Sequence, residues 1–294
     1  MSSKDLIHSL VVPPGKKISL AKDYDPTYKA GYLKKADAQQ RLQTGIEQLA
    51  KYQNILYAQN TYALLIVLQA MDAAGKDSTI KHVMTGLNPQ GCQVFSFKVP
   101  SSTELDHDYL WRYFKALPER GNIGIFNRSH YEEVLVVRVH PEILERQQLP
   151  PEAKGKQIWK QRFEEINQFE KYLVNNGIIV LKFFLNVSKD EQKKRFLDRI
   201  NLPEKNWKFS ASDAKERERW DDYMKAYEDV FNHTSTEWAP WYIIPADHKW
   251  FTRLAVATVI ADKLQQLDLK YPVVTEAHKQ ELLKAKEILE HEAG

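Results

Sequence analysis

Short apolar runs alternate with helical patterns along most of the chain. The runs lie at 62–68, 92–97, 123–126, 178–185 and 242–244, and each has the length of a strand that is buried on both faces. Between the runs, helical patterns cover residues 76–86, 106–117, 156–176, 189–200, 211–232 and 250–268. Strands that alternate with helices at this spacing predict an α/β fold around a largely parallel sheet.

The two ends of the chain differ from this alternating middle. Residues 1–34 are mixed in polarity and interrupted by prolines and glycines, which predicts an arm over the surface, and residues 35–59 have one apolar helical face. Residues 276–292 predict a charged helix that docks on its own or a neighbouring subunit. With no repeat or low-complexity linker, we expect a single domain over 1–294. Its parts are an N-terminal arm and helix (1–60), a core (61–270) and a C-terminal helix (271–294).

Composition excludes several classes of protein. The 294 residues are 43% hydrophobic and 28% charged, as in ordinary globular domains, and 42 basic against 39 acidic residues leave a net charge of +3. That balance does not indicate a nucleic-acid partner, and no nucleic-acid-binding module is recognisable. The start lacks the apolar core of a signal peptide, and no run has the roughly 20 apolar residues of a membrane span. A single cysteine, Cys92, is typical of a reducing compartment, so we expect a soluble, cytoplasmic protein.

The junction after the first predicted strand resembles a phosphate-binding loop. Residues 68–79 read Leu-Gln-Ala-Met-Asp-Ala-Ala-Gly-Lys-Asp-Ser-Thr, against the standard pattern G-x-x-x-x-G-K-[ST]. Gly75 and Lys76 match, whereas Ala70 replaces the first glycine and Asp77 the hydroxyl residue. Such a turn directs backbone N–H groups and the positive end of a helix at one anion. The alternative is a glycine that merely starts a helix, followed by an exposed lysine.

Asp72 lies inside this loop, where a carboxylate would repel a bound phosphate. A Mg²⁺ ion, which prefers oxygen ligands, would remove the repulsion. Alternatively, the Asp72 carboxylate would accept a proton from an attacking phosphate or orient that phosphate.

A second polar cluster follows the third predicted strand, at residues 124–134. In a doubly wound sheet the carboxyl ends of the strands line the ligand crevice, so this cluster is expected beside the loop. Asn127 stands where such enzymes commonly carry an aspartate linked to a metal, and Arg128 has a planar fork suited to phosphoryl oxygens. Glu132 and Glu133 open the next helix. Either carboxylate could instead serve only to complement the helix dipole, and Arg128 could be a plain surface ion-pair residue.

Together these motifs resemble the polyphosphate kinase 2 family, and most closely its class III members, which accept nucleoside mono- and diphosphates. The resemblance covers about residues 18–267 and depends on 71–79 and 126–134, with support from 104–112 and 244–249. It implies a three-layer P-loop kinase fold like that of thymidylate kinases, with a mostly parallel five-stranded sheet, helical terminal extensions and a helical lid at about 200–215.

The resemblance also implies an activity. Family members transfer phosphoryl groups between inorganic polyphosphate and nucleotides such as AMP and ADP, with guanine nucleotides as further candidates. They use Mg²⁺, for which Mn²⁺ is a candidate substitute, and commonly form dimers or tetramers. Asp72, Lys76 and Arg128 take the family's Walker-type catalytic positions. Asp72 and Glu132 are the candidate metal ligands, and Glu132 stands where members active on monophosphates have a glutamate.

A larger set of residues is expected to bind phosphate or nucleotide: Ala73, Ala74, Gly75, Asp77, Ser78, Thr79, Glu132, Glu133, Arg195, Arg199 and Lys208. Within it, Arg195 and Arg199 are four residues apart and share a helix face, which favours a cationic path for the polyphosphate chain. The alternative for these basic residues is a solvated, charge-rich helix. Three histidines, His107, His130 and His248, lack the spacing of a zinc site and are expected to be structural.

Two other functions fit the same motifs. An ordinary nucleoside monophosphate kinase would use ATP as the phosphoryl donor, although Asp72 and the missing first glycine argue against it. A non-catalytic nucleotide-binding protein would keep the loop alone, although Lys76, Arg128 and the paired glutamates argue for catalysis.

Overall fold

Five parallel strands form the centre of the molecule in a computed structural model that describes residues 2–32 and 35–292. The strands are β1 (Ala63–Ala70), β2 (Cys92–Ser96), β3 (Ile123–Asn127), β4 (Ile178–Asn186) and β5 (Trp241–Pro245). Their order is β2-β3-β1-β4-β5, and each neighbouring pair is parallel. The predicted parallel sheet of five strands is therefore confirmed, with strand ends within two residues of those expected.

Helices surround this sheet. In chain order they are α1 (Ser3–Leu10), α2 (Leu20–Asp23), α3 (Lys35–Gln59), α4 (Lys76–Val83), α5 (Ser102–Leu105), α6 (Trp111–Phe114), α7 (Val136–Val139), α8 (Pro141–Arg146), α9 (Ile158–Asn175), α10 (Lys189–Asn201), α11 (Ala211–Glu218), α12 (Trp220–Thr234), α13 (Lys249–Gln266) and α14 (Glu276–Glu290). Short 3₁₀ helices lie at Pro89–Gly91, His130–Val134, Pro151–Lys154 and Pro203–Lys208. The helix α13 packs against α3 and α4, while α9 packs against α12 and β4.

Burial explains why β1 forms at the centre. All eight of its residues are buried, so helices cover both faces of the strand. Each fully buried Leu, Ile or Val side chain contributes roughly 1.5–3 kcal/mol relative to an exposed one. An unbroken apolar run such as 64–68 is therefore stable as a strand only in the middle of a covered sheet.

The N-terminal arm is more ordered than the sequence predicted. It forms α1, which has a capping box between Ser2 and Asp5, and it pairs with the edge of β5, where Val12 N–H donates to the Trp241 carbonyl at 2.8 Å. Leu10 and Val12 are fully buried. The arm therefore contributes to the core and covers one edge of the sheet. Residues 1 and 33–34 of the predicted N-terminal part lie outside the described residues.

Three predicted helices are shorter or interrupted. The helix at 76–86 ends at Val83, ahead of Gly86 in the left-handed region. The predicted helix at 106–117 is wrong over its first half, because Asp108 Oδ1 accepts the Leu110 N–H and competes with helical hydrogen bonding. Residues 211–232 are divided into α11 and α12 at Arg219.

The C-terminal helix forms as predicted but does not dock on its own chain. Each residue of α14 is exposed, including Leu282 and Leu289 at 51% and 67%. The last two residues of the predicted 271–294 segment lie outside the described part. Among the helices that the structure describes, none is both long and apolar enough to cross a membrane.

Candidate active site

The loop between β1 and α4 forms a tight turn at the carboxyl edge of the sheet. Ala73 and Gly75 have φ angles of +60° and +111°, and α4 begins at Lys76. A positive φ is strained for Ala73, whereas Gly75 adopts it without the penalty of a side chain. Strained backbone beside an active site is retained where the turn itself has a function, here the direction of the N–H groups at the start of α4.

Lys76 lies at the centre of this turn with its ammonium folded back on the strand. Its Nζ donates to the Ala70 carbonyl at 3.0 Å. Removal from water lowers the pKa of Lys76, and the positive charge of Arg128 lowers it further, although Asp72 and Glu132 act in the opposite direction. A single carbonyl is a weak partner for an ammonium group, so this lysine is available to an incoming anion.

The residues at the end of β3 lie at the same edge of the sheet as this loop. Arg128, the residue after the strand, has a φ of +65°, and its N–H donates to the Leu68 carbonyl of β1. Its neighbour Asn127 donates from Nδ2 to Asp77 Oδ1 at 2.7 Å. The amide of Asn127 is therefore a link to α4.

Arg128 lies between two carboxylates from different segments. Its Nη2 is 3.3 Å from Asp72 Oδ1, and its Nη1 is 3.6 Å from Glu132 Oε2. Glu132 is the first cause of a raised Arg128 pKa. The pKa of Glu132 itself is raised by its removal from water, although Arg128 and Lys76 partly oppose this. Asp72, Lys76, Arg128 and Glu132 thus form one electrostatic cluster.

Two cavities meet at this cluster. The first, of about 730 Å³, holds the loop residues 72–78 and is bordered by basic side chains of α10, the 3₁₀ helix Pro203–Lys208 and α13; we call it the phosphate cavity. The second, of about 430 Å³, has mostly apolar walls such as Phe97, Val136 and Ile143 and is also lined by Glu132; we call it the apolar cavity. Arg128 lines both.

Most of the predicted binding residues line the phosphate cavity. They are Ala73, Ala74, Gly75, Asp77, Ser78, Arg195, Arg199 and Lys208, together with Asp72, Lys76 and Arg128. Glu132 and Glu133 line the apolar cavity instead. The carboxylate of Glu133 accepts hydrogen bonds from Gln147 and Arg162, so its direct partners are protein groups.

Two of the predicted binding residues are buried and hydrogen-bonded to the protein itself. Thr79 is 3% exposed inside α4, and its N–H donates to the Gly75 carbonyl, because the helix has already turned this residue toward the core. The side chain of Arg195 is 5% exposed. Its guanidinium donates to Glu191 and to four backbone carbonyls, which occupies all five of its N–H groups. Arg195 lines the phosphate cavity, but its hydrogen bonds go to the protein, so in this structure it supports the loop, and its expected contact with a polyphosphate chain stays a prediction.

Sequence reasoning missed two cations of α13 at the same edge. Lys249 lines the phosphate cavity. Its pKa is lowered mainly by burial and further by repulsion from the positive charge of Arg195. Arg253, one turn later, donates to Ser78 Oγ at 2.9 Å. Their signal was present, because α13 begins immediately after β5 and the carboxyl ends of parallel strands share one edge.

The carboxylates at the cluster suit a divalent cation. No group of three or more His, Cys, Asp or Glu side chains is close enough to chelate a metal within residues 2–32 and 35–292. Mg²⁺ is usually held by one or two carboxylates, with phosphate oxygens and waters completing its shell. Asp72 and Glu132 match that donor set. His130 is fully buried with Nε2 3.4 Å from Glu170, in agreement with a structural role.

Comparison with known proteins identifies the family. The model of the polyphosphate kinase 2 family matches residues 32–272. An ADP-polyphosphate phosphotransferase of Rhodopseudomonas palustris is 52% identical over 95% of this chain and 96% of its own length. An AMP/ADP-polyphosphate phosphotransferase of Meiothermus ruber is 47% identical over 76% of this chain and 80% of its own.

The fold agrees with this relationship. A crystal structure of polyphosphate kinase 2 from Arthrobacter aurescens TC1 superposes with a TM-score of 0.84 at 39% identity, covering 97% of each chain. The five-stranded parallel sheet, the loop at 71–79 and the cluster around Arg128 are thus parts of an α/β phosphotransferase fold. This chain belongs to the polyphosphate kinase 2 family.

Proposed function

We propose that the protein transfers phosphoryl groups between inorganic polyphosphate and AMP or ADP, with Mg²⁺ as cofactor. The observation that carries this proposal is the position of Arg128, which lines both the phosphate cavity and the apolar cavity. A donor phosphate in one cavity and an acceptor phosphate in the other would meet at its guanidinium. The names of the relatives support the same reaction.

The phosphate cavity suits a polyanionic donor. Besides Lys76 and Arg128, its walls carry further basic side chains, namely Arg199, Lys205, Lys208 and Lys249. A row of cations at the mouth of a cleft raises the local concentration of an anionic substrate. Polyphosphate, which has no base or sugar to recognise, is bound through such charges alone.

The apolar cavity suits a nucleotide acceptor. Its volume of about 430 Å³ lies in the ordinary range for small-molecule sites, and apolar walls surround a few polar groups. A purine ring would contact those walls while its phosphate reaches Arg128 and Glu132. Adenine nucleotides are the proposed acceptors, and guanine nucleotides would fit a cavity of the same size.

The chain's own residues supply positioning and charge neutralisation, which phosphoryl transfer requires more than covalent chemistry. Lys76 and the amides at the start of α4 hold the migrating phosphoryl group, and Arg128 neutralises charge on its equatorial oxygens. The attacking oxygen belongs to a phosphate that is already ionised at neutral pH, so no strong general base is needed. Asp72 therefore orients the reactants. Mg²⁺ bound at Asp72 and Glu132 would supply further charge neutralisation, and Mn²⁺ would substitute for it.

Assembly and location complete the proposal. The exposed apolar residues of α14 support a homodimer or homotetramer in which a neighbouring subunit covers this helix. The single cysteine, Cys92, supports a cytoplasmic location.

Product analysis tests the activity against the alternative of an ATP-dependent nucleoside monophosphate kinase. The protein is incubated with Mg²⁺ and AMP, or with Mg²⁺ and ADP, and inorganic polyphosphate or ATP is supplied as donor. Formation of ADP from AMP and of ATP from ADP with polyphosphate supports the proposal. Transfer from ATP alone would establish the alternative, and chelation of the metal should stop either reaction.

A further inference from the structure

Side chains of α10 hold the backbone of the phosphate-binding loop from behind. Three consecutive loop carbonyls, those of residues 72, 73 and 74, each accept a hydrogen bond from α10. Gln192 Nε2 donates to the first at 2.9 Å, and Arg195 Nη1 donates to the other two at 3.0 and 2.8 Å. Carbonyls turned toward α10 leave the opposite side of the turn to N–H groups, which is the polarity that an anion requires.

Gln192 joins the loop to a further helix, α11. Its side chain is 1% exposed, and its Oε1 accepts a hydrogen bond from Arg217 Nη1 at 2.8 Å. Both ends of the amide are therefore engaged. The same Arg217 nitrogen donates to the Lys189 carbonyl at 2.7 Å, so the guanidinium is anchored to the start of α10.

Arg217 belongs to α11, the helix that begins within the predicted lid segment 200–215. The lid segment is also joined to α10, since Arg199 of α10 donates to the Lys208 carbonyl and lies 3.6 Å from Asp213 of α11. The path from the lid to the loop thus passes through Arg217, Gln192 and the Asp72 carbonyl. Each step in it is a single hydrogen bond between named atoms.

We infer that Gln192 is a positioning residue that couples the lid helix α11 to the phosphate-binding loop, and that it acts on the polyphosphate side of the reaction. This inference rests on the function proposed above. Of the two residues that it joins, Asp72 lines the phosphate cavity and not the apolar cavity, and Arg217 lines neither. Loss of the link should therefore weaken the donor site and leave nucleotide binding unchanged.

Gln192→Met removes both hydrogen bonds at nearly constant volume, and Gln192→Glu keeps the acceptor for Arg217 but removes the donor to Asp72. Each lost hydrogen bond of a buried group is worth roughly 1–2 kcal/mol, or about 5- to 30-fold. Both variants should raise the KM for polyphosphate by about that factor and change the KM for nucleotide less than about twofold. Gln161→Met, at an exposed position of α9, is the matched control and should behave as wild type.

A double-substitution cycle tests the coupling itself. If Arg217 acts on the loop through Gln192, adding Arg217→Met to Gln192→Met should raise the KM for polyphosphate no further than the stronger single change. Effects that multiply, or a nucleotide KM that rises in parallel, would overturn the inference. If Gln192→Met fails to fold in a thermal-unfolding measurement, Arg217→Met and Gln192→Glu carry the test, with Arg217→Met alone expected to raise the polyphosphate KM.

Calorimetric binding of inorganic tripolyphosphate separates this inference from the proposed function. Wild-type protein should bind the anion, and Gln192→Met should bind it more weakly by the same factor as its KM changes. Wild-type protein that fails to bind or to turn over polyphosphate would count against the proposed function. If wild-type protein binds tripolyphosphate tightly and both Gln192 variants bind it equally well, the result would count against the coupling of α11 to the loop but not against the proposed function.

Discussion

The guanidinium of Arg128 lies 3.3 Å from the carboxylate of Asp72, across the gap between two separate strand ends. The same guanidinium lies 3.6 Å from Glu132. Since the two carboxylates come from the loop after β1 and from the 3₁₀ helix His130–Val134, Arg128 determines how these segments face each other. It is also the residue at which both cavities meet, and its replacement therefore tests most of the site.

Arg128→Lys should lower kcat about 10²- to 10³-fold. Lysine keeps the charge but loses the planar fork that spans two anionic groups, and the loss of one well-placed donor to a transition state has an effect of this size. Steady-state kinetics with ADP and polyphosphate measures it. Arg120→Lys, in which the side chain contacts the Thr61 and Asn176 carbonyls before β1 and β4, is the matched control and should retain full activity. Activity of Arg128→Lys near that of the control would contradict the assignment.

Lys76→Met should lower kcat/KM about 10²- to 10⁴-fold, which corresponds to several kcal/mol of transition-state stabilisation. The ammonium has only the Ala70 carbonyl as a hydrogen-bond partner among the described residues, so its removal costs the fold little. Lys81→Met, on the exposed side of the same helix, controls for a general effect on α4. Thermal unfolding of the Lys76 variant should match that of wild type, and an equal loss of activity in both variants would count against a specific role.

Asp72→Asn should raise the Mg²⁺ concentration needed for half-maximal activity, besides lowering kcat. The amide keeps the size of the side chain and one oxygen, but it loses the charge that attracts a divalent cation. The experiment is a Mg²⁺ titration at saturating ADP and polyphosphate. An unchanged Mg²⁺ dependence with reduced kcat would assign Asp72 to orientation of the phosphates alone.

The sequence predicted the strands well because strands in the middle of a covered sheet must be apolar at consecutive positions, as residues 64–68 are. It also predicted that Lys76 and Arg128 lie at the same edge of the sheet, because residues that follow parallel strands meet there. It did not predict the hydrogen bonds of Arg195, whose spacing from Arg199 indicates a shared helix face but not what lies against that face. In the fold, the loop carbonyls accept hydrogen bonds from Arg195, and both Arg195 and Arg199 line the phosphate cavity.

Local and long-range hydrogen bonds explain the other differences between the sequence-based predictions and the structure. Hydrogen bonds from single side chains to the backbone limit where short helices begin and end, as Asp108 does just before α6. A pattern of apolar residues carries no information about these hydrogen bonds. Gln192 was missed because a glutamine in a charged helix carries no sequence signal. Its role depends on two partners, Asp72 and Arg217, that are distant along the chain.

Glu132→Gln should make the free protein more stable as the pH rises. Burial raises the folded-state pKa of Glu132 above its ordinary value of 4.5, so the folded chain binds this proton more tightly than the unfolded chain does. Ionisation therefore lowers stability as the pH passes through the raised pKa, and glutamine removes that cost. Tm should be equal for the two proteins near pH 4 and higher for the variant at neutral pH. The expected gain is on the order of 2–4 °C, the shift that about 1 kcal/mol produces in a domain of this size class.

This stability gain should accompany a loss of activity. An ionised Glu132 contributes to the charge of the cluster and to the proposed metal shell, so a more stable Gln variant with reduced turnover is the expected combination. Measurement of Tm and of turnover with AMP and ADP on the same samples tests both. A variant that is less stable than wild type at neutral pH would show that the ion pair with Arg128 outweighs the burial of Glu132.

A buried ion pair should stabilise the segment that carries Glu132. Lys182 of β4 and Glu170 of α9 are both fully buried, with Nζ and Oε2 2.6 Å apart. Lys182 also donates to the Thr234 carbonyl and to the Tyr131 hydroxyl, and that hydroxyl donates to Glu170 at 2.8 Å. Because Tyr131 directly precedes Glu132, this network ties the second motif to two elements of the core. Burial alone would raise the pKa of Glu170, but the Lys182 ammonium holds it below its ordinary value.

Glu170→Gln should therefore destabilise the protein by roughly 3–5 kcal/mol, because it leaves the buried Lys182 charge without its counter-ion. A Glu170→Leu/Lys182→Met double variant removes both charges and should be more stable than Glu170→Gln. Urea unfolding measures each difference, and Tyr131→Phe, which removes only the hydroxyl, should cost about 1 kcal/mol. Since the folded-state pKa of Glu170 is lowered, the stability that the wild-type pair provides should disappear as the pH falls below the ordinary carboxyl range. A double variant no more stable than Glu170→Gln would mean that the hydrogen bonds to Tyr131 and Thr234, rather than the paired charges, hold the second motif in place.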